Sequence, residues 1–312
     1  MKLFLNILFL MLLQNKAMAL CDFDIDTNSI NETISSINTE SPQTITASRP
    51  NGTSANNCAY AYFFFSKGNA NSYNRKAYNS FGENINYNLY QGTSQFGILK
   101  DAYDFQNTNE YIRTYLQRPK ENFQSQFYFY LPATSNSTMV RGGTYTDQVS
   151  VNVYRSGMNS SWAYYEFTRM LPITIFVPKT VNISLVDSGS PIDLNSTFKN
   201  LDFGNLETNE SKSFDLMVAS NAGFRISLSS LNNGKLKNNA NANYAINYSL
   251  KLNGNTINLS NSASTPVLVA TGSGVTGNNG VRLPFNVKIG SVDEEQWGDY
   301  QDYITITAAT ND

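Results

Sequence analysis

The sequence of 312 residues contains no histidine. Histidine is the general base of Ser-His-Asp and Cys-His catalysis and the commonest zinc ligand, so its absence removes these mechanisms and that ligand. Carboxylates do not replace it, because Asp293, Glu294 and Glu295 are adjacent in one loop, whereas a glycosidase needs two opposed carboxylates across a cleft. We therefore expect a protein that is not an enzyme and that needs neither a metal nor a cofactor.

Charged residues are also few. Lys, Arg, Asp and Glu make up 15% of the chain and the net charge is −2, which gives no electrostatic case for binding nucleic acid. One glycine pattern, Gly272–Gly277, matches the spacing of a dinucleotide-binding loop. A turn and another strand pattern follow it instead of a helix, so we interpret it as a glycine-rich loop.

Long apolar runs are limited to the N-terminus. Residues 3–13 are apolar apart from one Asn, follow a short basic start and precede Ala-Met-Ala, which is typical of a signal peptide cut after Ala19. The run is too short to span a bilayer comfortably, and no later segment is suited to do so. Lipidation of Cys21 is the rival interpretation, but a lipobox has a small residue before its cysteine and here that residue is Leu20.

The sequence has two cysteines, Cys21 and Cys58. In an exported chain they are expected to pair, and two cysteines allow one connectivity. In the chain-entropy model, closing a loop of about 37 residues contributes about 4 kcal/mol to stability. A reactive pair would more often show the short spacing Cys-x-x-Cys, so we interpret this pair as a structural crosslink.

What the sequence does contain is a repeated strand pattern. Residues 143–147 read Gly-Thr-Tyr-Thr-Asp and residues 298–302 read Gly-Asp-Tyr-Gln-Asp, and alternation of apolar and polar residues follows each motif. Residues 85–92 and 246–254 form a second matching pair. Alternation with period two indicates strands with one buried face, and the matching order and spacing of the two pairs indicate two related domains.

The composition favours the same architecture. Asn, Ser, Thr, Tyr and Phe are abundant, residues that suit strands joined by turns, and no long segment has clean helical periodicity. We predict an all-β chain of two Ig-like β-sandwich domains. The boundaries are 1–19 for the signal peptide, 20–171 for the first domain and 172–312 for the second.

The second domain is expected to lack its last strand. After the first Gly-x-Tyr-x-Asp strand the chain continues, and Ile173–Val177 alternates well enough to close that domain in cis. The second such strand is followed almost at once by the last residue given. An unpaired edge beside an apolar cleft is an aggregation hazard unless a strand from another chain fills it, as in donor-strand complementation. We expect this cleft to be lined by Ile183, Leu185, Tyr303, Ile304, Ile306 and Ala308.

These motifs carry a family resemblance. Cys21, Cys58, Arg75, residues 85–90 and the motif at 143–147 together resemble the spore coat protein U domain family, which includes subunits of archaic chaperone–usher pili. The second half looks like the pilin domain of that family, because it repeats the closing motif and contains further short motifs. Those motifs are Leu201–Gly204, Ser220–Phe224 and Leu231–Leu236.

Two features depart from the family pattern. The tryptophan-glycine pair often seen after the Tyr90 region is missing, and Phe96-Gly97 is the nearest match. The stretch Gly92–Gln126 is longer than in a plain pilin and reads as long and irregular. Long loops on a rigid β scaffold often carry function.

The resemblance implies a tip adhesin. With no free extension before Cys21, the mature chain is expected to accept a donor strand but not to give one, which would place it at the end of a polymer. The implied partners are a pilus shaft subunit as strand donor, a periplasmic chaperone, an outer-membrane usher and an abiotic or host surface. The implied location is the cell surface, reached through the periplasm.

The resemblance also implies adhesion through hydrophobic loops, since exposed apolar patches often mark contact sites. If six strands of the first domain alternate up and down, the loops Thr33–Asn57, Gly92–Phe105 and Pro132–Gly142 lie at its far pole. The alternative is that their apolar residues only pack their own loops. Those residues are Ile34, Ile37, Ile45, Phe96, Ile98, Leu99, Met139 and Val140.

Two other non-enzymatic functions stay open. A carbohydrate-binding module would use Tyr and Trp platforms together with Asn and Asp hydrogen bonds, and a structural coat protein is permitted by the family name. The densest aromatic run, Cys58–Phe65, is interpreted as a core strand, with a stacking platform as the alternative.

Overall fold

The computed structural model describes residues 21–34, 38–133, 140–160, 163–277, 279–292 and 297–311; the expected signal peptide lies outside these ranges. Strands account for 53% of the chain and helix for 2%, which confirms the predicted all-β class. The chain divides into two compact units: residues up to 133 with 145–175, and residues 134–144 with 176–312. No helix in the described ranges is long and apolar enough to cross a membrane.

The described part of the first unit forms one continuous hydrogen-bonded sheet. A short helix, α1 (Ala55–Cys58), precedes its fourth strand. The strands are β1 (Asp24–Thr27), β2 (Ile30–Thr33), β3 (Thr39–Ser48), β4 (Tyr60–Phe65), β5 (Arg75–Tyr78), β6 (Asn84–Gly92), β7 (Phe96–Ile98), β8 (Ile112–Tyr115), β9 (Phe123–Leu131), β10 (Gly143–Ser156) and β11 (Tyr164–Val177).

This sheet folds over itself into two layers. Its order is β1-β3-β9-β6-β5-β10-β11-β2, with β4 added to β10 and β8 added to β4. The first half of β6 pairs with β5 and its second half pairs with β9, so β6 joins the layers. The core between them is aromatic and β-branched, and it includes Phe63, Phe65, Phe127, Phe129, Val149, Val151 and Val153.

The first unit is closed by its own last strand. β11 lies beside β10 in the sheet, and both strands are 14 residues long. Leu171, Ile173 and Ile175 on β11 are at most 1% exposed. The segment predicted to close the domain in cis is therefore the C-terminal part of β11.

The predicted domain boundary between residues 171 and 172 falls inside β11. The change from one compact unit to the other comes at residues 175 and 176. The strand that pairs with β10 runs to Val177, so it continues beyond Pro172 before the chain leaves the unit.

The predicted loop Thr33–Asn57 contains a full strand. Nine of the ten residues of β3 pair with β9, from Thr39 opposite Leu131 to Ala47 opposite Phe123. β3 is mostly polar and buries only two of its side chains fully, so its alternation is weak in the sequence. Pairing with β1 on one side and β9 on the other holds it as a strand.

In the second unit, the described residues form two sheets. One has the order β12-β13-β19-β16-β15-β20 with β17 added to β16, and the other has the order β18-β14-β21. The strands are β12 (Val181–Asp187), β13 (Ser211–Ser220), β14 (Phe224–Ser230), β15 (Lys235–Asn238), β16 (Ala245–Leu252), β17 (Asn255–Ile257), β18 (Val267–Gly272), β19 (Val281–Ile289), β20 (Tyr300–Gln301) and β21 (Ile304–Thr310).

The two repeated sequence motifs supply the donor and the acceptor of a hydrogen bond that is present in both units. The donor is a tyrosine and the acceptor is the aspartate of the Gly-x-Tyr-x-Asp motif. In the first unit the Tyr87 hydroxyl donates to Oδ2 of Asp147 at 2.5 Å, and in the second the Tyr248 hydroxyl donates to Oδ2 of Asp302 at 2.6 Å. Burial, together with the nearby carboxylate, raises the pKa of both tyrosines, so both hydroxyls remain donors.

The glycine of each motif has a backbone that a side chain would disfavour. The φ angle is 141° at Gly143 and 146° at Gly298, in the region that residues with a Cβ atom rarely adopt. The pattern Gly-x-Tyr-x-Asp therefore combines a backbone requirement at its start with a hydrogen-bond acceptor at its end.

We predict that Tyr87→Phe destabilises the first unit by about 1.5–3 kcal/mol, because it removes a donor from a carboxylate that is only 4% exposed. The measurement is the free energy of unfolding in urea. The half-buried Tyr128 provides a matched control, and Tyr128→Phe is expected to change stability by less than about 0.5 kcal/mol. Equal effects of the two substitutions would contradict the role given to this hydrogen bond.

Candidate functional site

The second unit contains a cleft of about 940 Å3 that is lined by both apolar and polar residues. Its walls include residues of β12 and β21 and the segment 197–206. Several lining residues also belong to the hydrophobic core of the unit, so the cleft opens directly onto that core. The apolar residues that line it include Leu201, Phe203, Phe214, Leu228, Leu250, Phe285 and Val287.

The cleft lies between two edge strands. Within the described chain, β21 ends the order of its sheet and pairs with β14, while β12 ends the order of the other sheet and pairs with β13. The outer edge of β21 therefore presents backbone N–H and C=O groups that need water or another strand as partner.

The first unit provides an internal comparison for this edge. Val149, Val151 and Val153 follow the first Gly-x-Tyr-x-Asp motif and are 0% exposed. Ile304 and Ile306 occupy the corresponding positions after the second motif and are only half-buried. The difference follows from the neighbour: β10 has β11 beside it, whereas the outer side of β21 faces the cleft.

The structure brings together most of the residues predicted to line the cleft. Ile183 and Leu185 on β12 lie in its lining, as do Tyr303, Ile304 and Ile306 at or before β21. Ala308, further along β21, is outside the lining but packs against the same hydrophobic core. Whether these residues contact a donor strand stays a prediction.

The sequence reasoning missed one wall of the cleft. Leu201 and Phe203 line the cleft from the segment 197–206, and the exposed Trp297 also belongs to its lining. The motif Leu-Asp-Phe-Gly at 201–204 was recognised only as part of the family resemblance. Its two apolar residues at i and i+2 were the available signal that this segment places one face against the core.

The residues predicted for surface adhesion do not form one exposed patch. Ile45 is 1% exposed and Leu99 is 0% exposed, so the expectation that they reach a surface is wrong for both. Ile45 faces the core from β3, and the Leu99 amide is bonded to the Leu89 carbonyl beside β6. Phe96 is 58% exposed and Ile98 is half-buried.

Other predicted adhesion residues lie in different places. Ile34 and Val140 are half-buried, while Ile37 and Met139 lie outside the described residues. Of the loop Pro132–Gly142, residues 134–139 lie outside the described ranges. Its described end belongs to the second compact unit, where the Gly142 amide donates to the Asn221 carbonyl at 2.8 Å. The count of six strands was wrong, because the sheet has more strands.

The predicted disulfide between Cys21 and Cys58 is present. It joins the segment before β1 to the end of α1, and the Cys21 amide donates to Oε1 of Glu166 at 3.0 Å. The described residues contain no cluster of three or more potential metal-ligating side chains from His, Cys, Asp and Glu. The cleft itself offers apolar side chains and backbone groups, which suit a peptide strand.

The sequence matches no protein-family model and no curated protein. The resemblance to the spore coat protein U domain family therefore stays a prediction.

Several solved structures of pilus proteins are similar at a low level. The CsuC–CsuE chaperone–tip adhesion subunit complex from Csu pili of Acinetobacter baumannii matches at 14% identity and a TM-score of 0.39, over 91% of this chain and 99% of that chain. The CupB6 tip adhesin from Pseudomonas aeruginosa matches at 11% identity and a TM-score of 0.37, over 92% of this chain and 95% of that chain. CfaE, the adhesive subunit of the CFA/I fimbria of enterotoxigenic Escherichia coli, matches at 18% identity and a TM-score of 0.35, over 91% of this chain and 94% of that chain. Similarity this low carries no conclusion about function.

The difference between β10 and β21 leads to a prediction about hydrogen exchange. Amides of Ile304–Thr310 are expected to exchange at least about tenfold faster than amides of residues 149–155, because β21 has a hydrogen-bonded neighbour on one side only. Exchange followed by mass spectrometry on the full chain gives both values in one sample. Equal protection of the two strands would show that the cleft edge is covered in solution.

Proposed function

We propose that this protein is an adhesin subunit at the tip of a chaperone–usher pilus, anchored by a strand from another subunit that enters the cleft of its second unit. The observation that carries the proposal is the edge strand β21 beside a cleft that opens onto the core. Its role is assembly and contact, with no chemical reaction.

An incoming strand would satisfy two needs at once. Its backbone would pair with the outer edge of β21, and its alternate side chains would fill the apolar cleft. The first unit shows the same solution in cis, where Leu171, Ile173 and Ile175 of β11 cover the core beside β10. A donor strand for the second unit should therefore carry apolar residues at every second position.

The segment from Cys21 onward is held within the first unit. Cys21 is fully buried and is bonded through its disulfide to Cys58 and through its amide to Glu166. β1 then pairs with β3 in the sheet of the first unit. The residues from Cys21 to Thr27 are therefore not free to enter a neighbouring subunit.

The open cleft also accounts for the proposed partners. Before assembly the cleft would need temporary cover, which a periplasmic chaperone would supply, and an outer-membrane usher would then exchange that cover for the shaft subunit's strand. The protein would reach the cell surface through the periplasm. Of the residues proposed to contact an abiotic or host surface, Phe96 is the most exposed, at 58%.

A free-standing carbohydrate-binding or coat protein is the second candidate. Exposed tyrosines on the first unit, such as Tyr165 at 54% exposure, suit a binding module. A free-standing module would gain nothing from a cleft that opens onto its core, so this candidate leaves the second unit unexplained.

The proposal predicts a large stabilisation by a donor peptide. A peptide that copies the N-terminal strand of the shaft subunit from the same organism, added to the purified full chain at 100 times its Kd, should stabilise the second unit by about 2.7 kcal/mol. The melting temperature of that unit should rise by about 10 °C. A second peptide, copying Arg169–Val177, tests whether the strand that closes the first unit also fits the cleft.

Paired variants show where the peptide binds. Leu185→Asp places a charge in the cleft and should abolish the shift in melting temperature. Leu268→Asp places the same charge on β18, where the side chain is 58% exposed and outside the cleft, and should leave the shift intact. A stable monomer whose melting temperature ignores both peptides would refute strand acceptance and favour the free-standing module.

A further inference from the structure

One face of the first unit carries a connected set of aromatic rings, of which Phe105, Tyr115 and Tyr165 are exposed. Along β4, Phe63 and Phe65 point into the core and are 0% exposed, whereas Tyr60, Tyr62 and Phe64 lie on the opposite face of the strand. The prediction that the run Cys58–Phe65 is core therefore holds for six of its eight residues, including Phe64 at 5% exposure, while Tyr60 and Tyr62 are half-buried on the outer face.

The rings on the outer face of β4 continue onto β8. Tyr60 and Tyr115 have ring centroids 4.9 Å apart, Tyr60 and Tyr62 are 6.4 Å apart, and Tyr62 and Tyr111 are 5.8 Å apart. These distances are typical of aromatic pairs in contact. Tyr115 is 37% exposed, so this end of the aromatic face is open to solvent.

The rings also continue in the other direction, onto β10 and β11. Phe64 contacts Tyr111, Phe105 and Tyr154 at 5.1–5.3 Å, and Tyr154 contacts Tyr165 at 5.5 Å. Phe105 is 41% exposed and Tyr165 is 54% exposed. We call the eight connected rings on β4, β8, β10, β11 and the segment before β8 the aromatic face.

The composition of the aromatic face indicates the chemistry of its ligand. Six of its eight rings are tyrosines, which combine a flat apolar surface with a hydroxyl group. A face that serves only to contact apolar material would gain more from Phe or Leu. Pyranose rings have apolar C–H faces surrounded by hydroxyls, so they match flat rings bordered by polar groups.

The positive charge at one end of the aromatic face indicates a ligand that carries a negative charge. The guanidinium carbon of Arg113 lies 4.2 Å from the centroid of the Tyr60 ring. Arg113 is exposed and forms no ion pair with any described residue. An arginine that stacks over a ring and has no carboxylate partner among the described residues is suited to bind a carboxylate through two parallel hydrogen bonds.

We propose that the aromatic face binds an acidic oligosaccharide, with the sugar rings on Tyr60, Tyr115 and neighbouring rings and a sugar carboxylate on Arg113. This inference goes beyond strand acceptance and does not rest on it, because the cleft belongs to the second unit and the aromatic face to the first. It also identifies a sheet face, and not a group of loops, as the contact surface.

The test measures binding of the purified full chain to oligosaccharides by calorimetry. The acidic probes are hexamers of galacturonate, mannuronate and glucuronate together with sialyllactose, and the neutral probes are cellohexaose and lactose. We expect at least one acidic probe to bind, with a Kd that rises with salt because the contact with Arg113 is ionic. Neutral probes should bind at least about tenfold more weakly.

Variants locate the site. Arg113→Gln, an exposed substitution that leaves the fold intact, should raise the Kd of the acidic probe about tenfold and leave that of neutral probes unchanged. Tyr115→Ala should raise the Kd of both kinds of probe about tenfold. Phe81→Ala is the matched control, because Phe81 is 71% exposed but outside the aromatic face, and it should change neither.

Three results would overturn the proposal. The first is that no acidic probe binds, and the second is that neutral probes bind as tightly as acidic ones. The third is binding that Tyr115→Ala and Phe81→Ala affect equally. The peptide experiment is independent of all three, so failure of saccharide binding is distinguishable from failure of strand acceptance.

Discussion

The structure depends on one constraint: in a β-sandwich the backbone of every strand needs a hydrogen-bonded partner, and its apolar face needs cover. The first unit meets this constraint with its own strand β11, which places Ile173 and Ile175 in the core. In the second unit, the described chain provides no strand on the outer side of β21, and Ile304 and Ile306 remain half-buried. The strand after the first motif thus has a neighbour that closes its unit, and the strand after the second motif has none in the described chain.

A second constraint holds the long stretch after β6 close to the core. The fully buried Arg75 donates to the Leu99 carbonyl at 2.7 Å and to Oδ1 of Asn88 at 2.6 Å. Burial lowers the pKa of Arg75 to about 10, and these acceptors compensate the buried charge. Lys100 and Glu110 then pair across the stretch at 2.7 Å. A segment that reads as a free functional loop is therefore anchored at its middle.

The sequence predicted those strands whose residues show a local alternating pattern. Alternation identified β10, β21 and the end of β11, because a strand with one buried face shows its period in its own residues. It could not identify β3, whose polar residues become a strand only between β1 and β9. It also could not show that Leu99 is buried or that residues 140–144 join the second unit. Both depend on contacts between residues far apart in the chain.

The cleft and the aromatic face differ in whether their exposure to solvent allows unwanted strand pairing. The cleft combines apolar side chains with the unpaired backbone of β21, so uncontrolled strand pairing can begin there unless a partner fills it. The aromatic face lies mostly on strands β4 and β10, which are paired on both sides, and reaches the edge strand β8 only at Tyr115. Backbone pairing begins at strand edges and not on the side chains of a sheet face. The edge of β21 is therefore the surface that needs a strand partner in our proposal, while the aromatic face can stay open to solvent and to a ligand.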